Sequence, residues 1–312
     1  MKVILLGAKG MLAHALADVF SDHILAAWDR EDVDITDGEA LKRKFEQVSA
    51  ELQRNTTVSA ELQRNTTVSA KLLSKSKAGV SEEVYVLNAA AYNDVDGAEQ
   101  DKHAAYLVNE TGVGNVAVAA KQIGAKVVHY STDYVFPGDS TAGYLEEDKP
   151  GSPINVYGAS KLAGEQVLLT SGVESYLIRT AWLYGSQGKN FVDTILRLSQ
   201  EHDSLEVVSD QFGSPTYTVD LARATRALVE GFTPGVYHLT NSGVTTWYDF
   251  ASEIVSLAGR AVQLVPVTAA TYARPAPRPV YGILKNTKGP AMRSWHDALS
   301  DYLENQSVIS NS

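Results

Sequence analysis

Apolar and polar positions along this chain switch between the period of a strand and the period of a helix. Val3 to Leu6 is a short unbroken apolar run, as in a strand buried on both faces, and it stops at Gly7. From Met11 to Phe20 apolar positions recur at helical spacing. His23 to Trp28 predicts a second strand, ending at Asp29, and Asp37 is placed to cap a helix over Gly38 to Gln47. Val84 to Leu87 predicts a strand that stops at Asn88-Ala89-Ala90-Ala91. A long helix over Lys102 to Ile123, a strand over Lys126 to Tyr130, a helix over Val156 to Thr170 and a strand over Tyr176 to Arg179 follow. Strands alternating with helices imply right-handed crossovers, and so an α/β, Rossmann-like, doubly wound parallel sheet.

Beyond about Gly185 the pattern is less regular. Pro215 to Val229 reads as loop and helix, and Gly235 to Leu239 as a strand expected to rejoin the main sheet. From Thr245 onward come a proline-rich loop, Pro275-Ala276-Pro277-Arg278-Pro279, and a closing helix near Trp295. The expected organisation is a dinucleotide-binding domain over 1–184 and a smaller, interleaved C-terminal substrate lobe over 185–312, with 235–240 returning to the main sheet. One stretch stands apart: Val48 to Thr57 recurs unchanged as Val58 to Thr67, and a partial third copy starts at Val68. Its period is too short for a solenoid. It reads as a duplication within 48–81, carried by a surface connection, because loop-closure entropy grows slowly with length. Ala, Glu, Leu, Gln and Arg favour helix there, and Asn-Thr-Thr predicts an interruption.

Composition narrows the function classes. The 312 residues are 44% hydrophobic, enough for one large core and a smaller lobe. A formal charge of -10 argues against a phosphate-backbone surface, so no nucleic-acid partner is expected. With no cysteine, disulfides, thiolate zinc sites and cysteine nucleophiles are excluded, in keeping with a cytoplasmic location. No run reaches the roughly 18 apolar residues of a membrane span, and the run at Val3 is too short for a signal peptide. Asn55-Thr56-Thr57 and Asn65-Thr66-Thr67 therefore match the glycosylation pattern by chance.

The candidate chemistry begins at Gly7-x-x-Gly10-x-x-Ala13, directly after a strand and opening a helix. Glycine permits the tight turn, and the free N–H groups around Gly10, Met11 and Leu12 can receive a pyrophosphate. Asp29, about 20 residues on, suits the adenosine ribose of NADH. Arg30 suits the 2′-phosphate of NADPH, so both cofactors stay open. Asp34 and Ile35 are expected beside the adenine, and the small Ala89, Ala90 and Ala91 along the cofactor. Tyr157 and Lys161, four apart, share one helix face. A lysine ammonium near a phenol lowers its pKa, and such a tyrosine can give a proton to a carbonyl as hydride arrives. Thr132, at a strand end, is placed to orient the substrate oxygen. The Tyr-Lys spacing alone is common; its force here comes from the glycine turn and from Ser131-Thr132 upstream.

Taken together, these motifs resemble the extended short-chain dehydrogenase/reductases, and within them the dTDP-4-dehydrorhamnose reductase family. The resemblance rests on Asn88-Ala89-Ala90-Ala91-Tyr92, Val95-Asp96-x-Ala98-Glu99, His129 to Gly138, Tyr157-Gly158-x-x-Lys161-x-x-Gly164-Glu165, Arg179-Thr180-x-Trp182-x-Tyr184, Asp210-Gln211-x-Gly213-x-Pro215-Thr216 and Thr246-Trp247-Tyr248. It covers nearly the whole chain outside the duplicated stretch. It implies reduction, with NADPH or NADH, of the C4 ketone of dTDP-4-dehydro-6-deoxy-L-mannose to dTDP-L-rhamnose. It also implies that Thr132, Tyr157 and Lys161 are catalytic and that Val95, Tyr134 and Trp182 line the sugar pocket, with Gln211 in the substrate lobe. Arg278 is expected to approach the nucleotide diphosphate, although Val280-Tyr281-Gly282 drift from the usual pattern. A homodimer is the expected assembly, and no metal site is expected.

Rival readings share much of this. A sugar-nucleotide dehydratase needs an acid to expel water and carries Asp-Glu after the threonine; here Asp133 is followed by Tyr134. An epimerase needs little beyond the Tyr-Lys pair. A non-catalytic NADP-binding regulatory subunit, resembling the β subunit of methionine adenosyltransferase, would keep Tyr157 and Lys161 without turnover. The seven histidines show no metal-ligand spacing. His129 is expected to be a strand residue, Glu146-Glu147-Asp148 a solvated turn, and Trp247, Tyr248 and Phe250 packing residues.

Overall fold

The computed structural model describes residues 1–65 and 82–310. The third copy of the repeat, and the end of the second, lie outside the described residues. β1 (Lys2–Leu6), α1 (Met11–Val19) and β2 (Ile24–Trp28) open the chain, followed by α2 (Gly38–Asn65) and β3 (Val84–Asn88). Short helices α3 (Val95–Gln100) and α4 (Lys102–Tyr106) lead through a π-turn, Leu107–Gly112, into α5 (Val113–Gln122). β4 (Lys126–Thr132), α6 (Val156–Thr170) and β5 (Ser175–Thr180) complete this half.

The second half holds β6 (Leu183–Tyr184), α7 (Phe191–Glu201), β7 (Ser204–Val208), β8 (Phe212–Gly213), β9 (Thr216–Tyr217), α8 (Thr218–Gly231) and β10 (Gly235–His238). It ends with β11 (Thr245–Thr246), α9 (Trp247–Leu257), β12 (Gln263–Val267), β13 (Tyr281–Gly282) and α10 (Trp295–Ser310).

Six parallel strands form the main sheet in the order β10-β5-β4-β3-β1-β2. The continuous apolar runs follow from burial on both faces. β1 sends Val3 and Leu5 into a layer with Leu12 and Leu16 of α1, Phe20 just after it, and Leu221 and Leu228 of α8. It sends Ile4 and Leu6 into the opposite layer, with Leu41 and Phe45 of α2, Val113 and Val116 of α5 and Leu168 of α6. The sheet is therefore wound on both sides, and β10 does rejoin it beside β5. A third core, with Tyr184, Phe250, Trp295 and Tyr302, lies under the smaller lobe.

Two sequence expectations are corrected, and a third gains a detail. The helix after Asp37, whose Oδ1 accepts from the Ala40 N–H at 2.9 Å, does not stop at Gln47 and is not interrupted at Asn55-Thr56-Thr57; it continues to Asn65. Asn and Thr cost a helix at most about 0.7 kcal/mol each, and Val48 and Leu52, in the first copy of the repeat, pack against the core. The long helix expected over Lys102 to Ile123 is found over Lys102 to Gln122, with a π-helical segment, the π-turn, at Leu107–Gly112. There the buried Asn109 donates from Nδ2 to the Tyr92 carbonyl at 3.1 Å and to Ser160 Oγ at 2.9 Å, contacts no local pattern announces. Finally, Glu146 is not solvated: it is buried and accepts from Thr287 N–H and Oγ1 at 2.8 and 2.6 Å.

Candidate active site

At the carboxyl ends of the parallel strands, where open α/β sheets bind ligands, the chain forms a cavity of about 620 Å³. Its floor is the glycine turn. Gly7 has φ at +78°, and a Cβ there would stand 2.8 Å from the backbone nitrogen of Ala90, so only glycine lets the two loops approach. Gly10 caps α1 without any side-chain hydrogen bond, which leaves first-turn N–H groups directed at the cavity. This cradle fits a dinucleotide pyrophosphate. Gly10, Met11, Leu12, Ala89, Ala90 and Ala91 all line it, while Gly7 shapes it from beneath.

Asp29 closes β2 near this cradle, but the residues around it are arranged otherwise than the sequence suggests. Lys9 Nζ, from the glycine turn itself, lies 3.6 Å from Asp29 Oδ2 and bonds Glu31. Arg30 turns away to Asp34, Nε to Oδ2 3.0 Å. Ile35 is buried in the core, its Cδ1 against Gly112, and does not border the cavity. The cation nearest Asp29 is thus Lys9, which sequence reasoning passed over because the glycine pattern treats that position as free.

On the opposite wall stand Thr132, Tyr157 and Lys161. β4 delivers Thr132 at its end, and α6 delivers the other two. Asn155 caps α6, its Oδ1 accepting from Gly158 N–H at 2.7 Å, which fixes the first turn where Tyr157 sits. Tyr134 meets Tyr157 edge-on at 5.7 Å between ring centroids. Lys161 is buried and donates to the Tyr130 carbonyl at 2.6 Å. Burial brings its pKa down to about 8, against the opposing pull of Glu165. The Tyr157 phenol is held above its ordinary value, first by burial and then by the Asp133 carboxylate, with the Thr132 hydroxyl acting the other way. The depressed phenol expected from the Lys161 charge is therefore not the arrangement found.

Asp133 is the residue sequence reasoning missed. It is buried on the same wall, accepts from Thr132 Oγ1 at 3.0 Å through Oδ1, and leaves Oδ2 without a partner. Burial pushes its pKa up to about 7. Its place after Thr132, at the carboxyl end of a central strand, was the available signal. His129 is buried within β4, with Nδ1 3.1 Å from Asn88 Nδ2, and does not line the cavity.

Val95 and Trp182 complete the first cavity. Tyr134 and Trp247 belong to it and also to a second cavity of about 650 Å³ under the smaller lobe. Gln211 and Arg278 line this second cavity. Arg278 is fixed by Asp96 of α3 through a two-pronged ion pair at 2.6 and 2.8 Å. Trp247 was expected to be packing only; it packs against the lobe core and faces both cavities. Among the described residues, no helix is long and apolar enough to cross a membrane.

A doubly wound parallel sheet, a glycine cradle at its strand ends and a Tyr-Lys pair across the cavity define a nicotinamide-dependent oxidoreductase of the short-chain dehydrogenase/reductase type. A family model described as the RmlD substrate binding domain matches residues 52–308. The dTDP-4-dehydrorhamnose reductase of Mycolicibacterium smegmatis is 35% identical over 311 residues, 96% of this chain and 84% of that one. A solved dTDP-4-dehydrorhamnose reductase from Clostridium acetobutylicum is 34% identical at a TM-score of 0.84, covering 98% of this chain and 100% of that one. The Bacillus anthracis enzyme, solved in complex with NADP, is 34% identical at a TM-score of 0.83, with the same coverage. The chain belongs to the dTDP-4-dehydrorhamnose reductase family.

Proposed function

We propose that this chain uses NADPH or NADH to reduce the C4 ketone of dTDP-4-dehydro-6-deoxy-L-mannose, giving dTDP-L-rhamnose. The observation that carries this reading is the convergence of Thr132, Tyr157 and Lys161 on one cavity with the glycine cradle, beside a second cavity bearing Arg278. The names of the relatives support the substrate, and the NADP complex of the Bacillus anthracis relative supports the cofactor.

The nicotinamide, when bound, supplies the hydride that adds to C4. Tyr157 gives its phenolic proton to O4, so the ketone becomes a secondary alcohol. Thr132 holds O4 in line with the phenol. Lys161, cationic below about pH 8, steadies the phenolate left behind and binds the nicotinamide ribose. Met11 and Leu12 present the first-turn N–H groups of α1 to the pyrophosphate and Asp29 binds the adenosine ribose, while the Asp34 carboxylate is held by Thr36 and Arg30. Val95, Tyr134 and Trp182 enclose the sugar; Gln211 and Arg278 hold the nucleotide end. Residues 1–184 serve as the cofactor domain and 185–312 as the substrate lobe, with 235–240 returning to the sheet. The reading includes a homodimer in the cytoplasm.

The test is direct. Purified protein is mixed with NADPH, then NADH, and the enzymatically made keto sugar, and absorbance of the reduced nicotinamide is followed. Sugar-dependent loss of absorbance supports the reading and ranks the cofactors. Cofactor binding with no sugar-dependent oxidation would overturn it in favour of a regulatory subunit.

A further inference from the structure

Trp182 lies in the link that leaves the main sheet after β5 and Trp247 opens α9 of the smaller lobe, yet their indoles stack at 3.5 Å between centroids with planes 11° apart. Trp182 stands just beyond β5 with φ at +48°. Bulky L-residues rarely adopt that conformation, and it persists only where neighbours enforce it. The neighbours here are specific. A Cβ at Gly213 of β8 would lie 2.6 Å from the Trp182 ring, so the indole rests on bare backbone. Trp247 covers the ring in turn.

Trp247 is itself held firmly. It is the first residue of α9, whose cap Thr246 accepts from Asp249 N–H at 3.0 Å. Phe191, the first residue of α7, braces it at 4.5 Å with a 52° tilt. Trp182 borders the first cavity alone, whereas Trp247 borders both. The stacked pair therefore stands where the two cavities meet.

We propose that Trp247 is a positioning residue for the substrate: it holds Trp182 in its strained place, so that the pair fixes how a nucleotide-linked 4-ketohexose lies between the two cavities. This rests on the reductase reading given above. Trp247 supplies no proton and no charge. Its effect is geometric, and misplacing reacting groups by about 1 Å can cost roughly 100-fold in rate.

Full-length wild type, Trp247→Leu and Trp247→Phe are compared. Leucine keeps apolar bulk but removes the stack; phenylalanine keeps an aromatic face. Expected is a 10- to 100-fold fall, order of magnitude, in kcat for the keto sugar in Trp247→Leu. NADPH affinity, read by its fluorescence on binding, should stay within about two-fold, and Trp247→Phe should recover most of kcat. The exciton signal of the paired indoles in circular dichroism should vanish in both variants and, in wild type, should change when dTDP is added. Wild-type kcat and KM in Trp247→Leu, with the exciton signal lost, would overturn the proposal. So would a parallel loss of NADPH affinity, turnover and melting temperature, which marks a purely structural residue. An inactive wild type would sink the reductase reading itself, an outcome distinct from either.

Discussion

The ammonium of Lys161 donates to the backbone carbonyl of Tyr130 at 2.6 Å, which ties α6 to the end of β4 beneath the cavity. The bond joins the two elements that carry Tyr157 and Thr132, so the residue that supplies charge also sets the spacing of the site. Because the site is buried, that charge is held at a cost, and Lys161 titrates near 8.

An alkaline limb in the rate profile follows. Below about pH 8 Lys161 is cationic; above it the ammonium is lost while an unfolded chain would still hold it up to 10.5. We expect kcat/KM for the keto sugar to fall as pH rises through about 8. Lys161→Arg keeps its charge over this range, so the limb should disappear even if the rate drops. The stability effect has the opposite sign. Burying the ammonium penalises the fold fully below about pH 8, and the penalty is relieved towards 10.5, where the unfolded chain binds more protons. A limb that survives Lys161→Arg unchanged would assign it to another group.

Tyr157→Phe removes one hydroxyl and leaves the ring against Tyr134. Proton transfer from a positioned acid contributes roughly 10²–10⁴ in rate. Single-turnover reduction of the keto sugar should slow by that factor, while NADPH affinity stays close to wild type. An unchanged rate would remove Tyr157 from the chemistry.

The parts legible in the sequence were those set by local pattern. α6 was predicted over Val156 to Thr170 and is found there, because its cap and periodicity are contiguous. The glycine turn was legible because φ at Gly7 demands glycine. The π-turn was not, since Asn109 is held by Tyr92 and Ser160, 17 and 51 residues away. Nor were β6, β8, β9, β11 and β13, each two residues long and too short to show a period. The unusual state of Asp133 follows from burial, which no motif prints. Thr132, Tyr157 and Lys161 share a cavity, and the apolar side chain of Ile35 packs inward against Gly112.

Asp133 should make stability depend on pH. Its folded pKa of about 7 lies above the ordinary 3.8, so its favourable contribution is complete below about pH 3.8 and is lost as pH rises through 7. The rise from 3.8 to about 7 corresponds to about 4 kcal/mol at most. Asp133→Asn carries no charge at any pH and keeps an acceptor for Thr132. Urea unfolding should find the variant more stable than wild type at pH 8 by up to that amount, with the gap closing towards pH 4. A pH-independent difference would show that Asp133 is ionised in the fold throughout.

Gly164 tests how closely the Tyr-Lys helix must approach the π-turn. A Cβ at this position would lie 1.9 Å from the backbone carbonyl oxygen of Asn109. No rotamer relieves such a clash, because the obstacle is main chain and Asn109 is pinned by Tyr92 and Ser160. Gly164→Ala must push α6 outward, and overpacking of this kind costs roughly 1–3 kcal/mol. The same shift moves Tyr157 and Lys161, so kcat should fall along with the urea midpoint. Gly231, at the end of α8, is the control: nothing lies within 4 Å of a Cβ placed there. Gly231→Ala should be neutral, or stabilising by about 0.4–1 kcal/mol through the unfolded chain, with kcat unchanged. Equal effects of the two substitutions would mean that the α6 contact with the π-turn yields freely, and that the position of the Tyr-Lys pair does not depend on it.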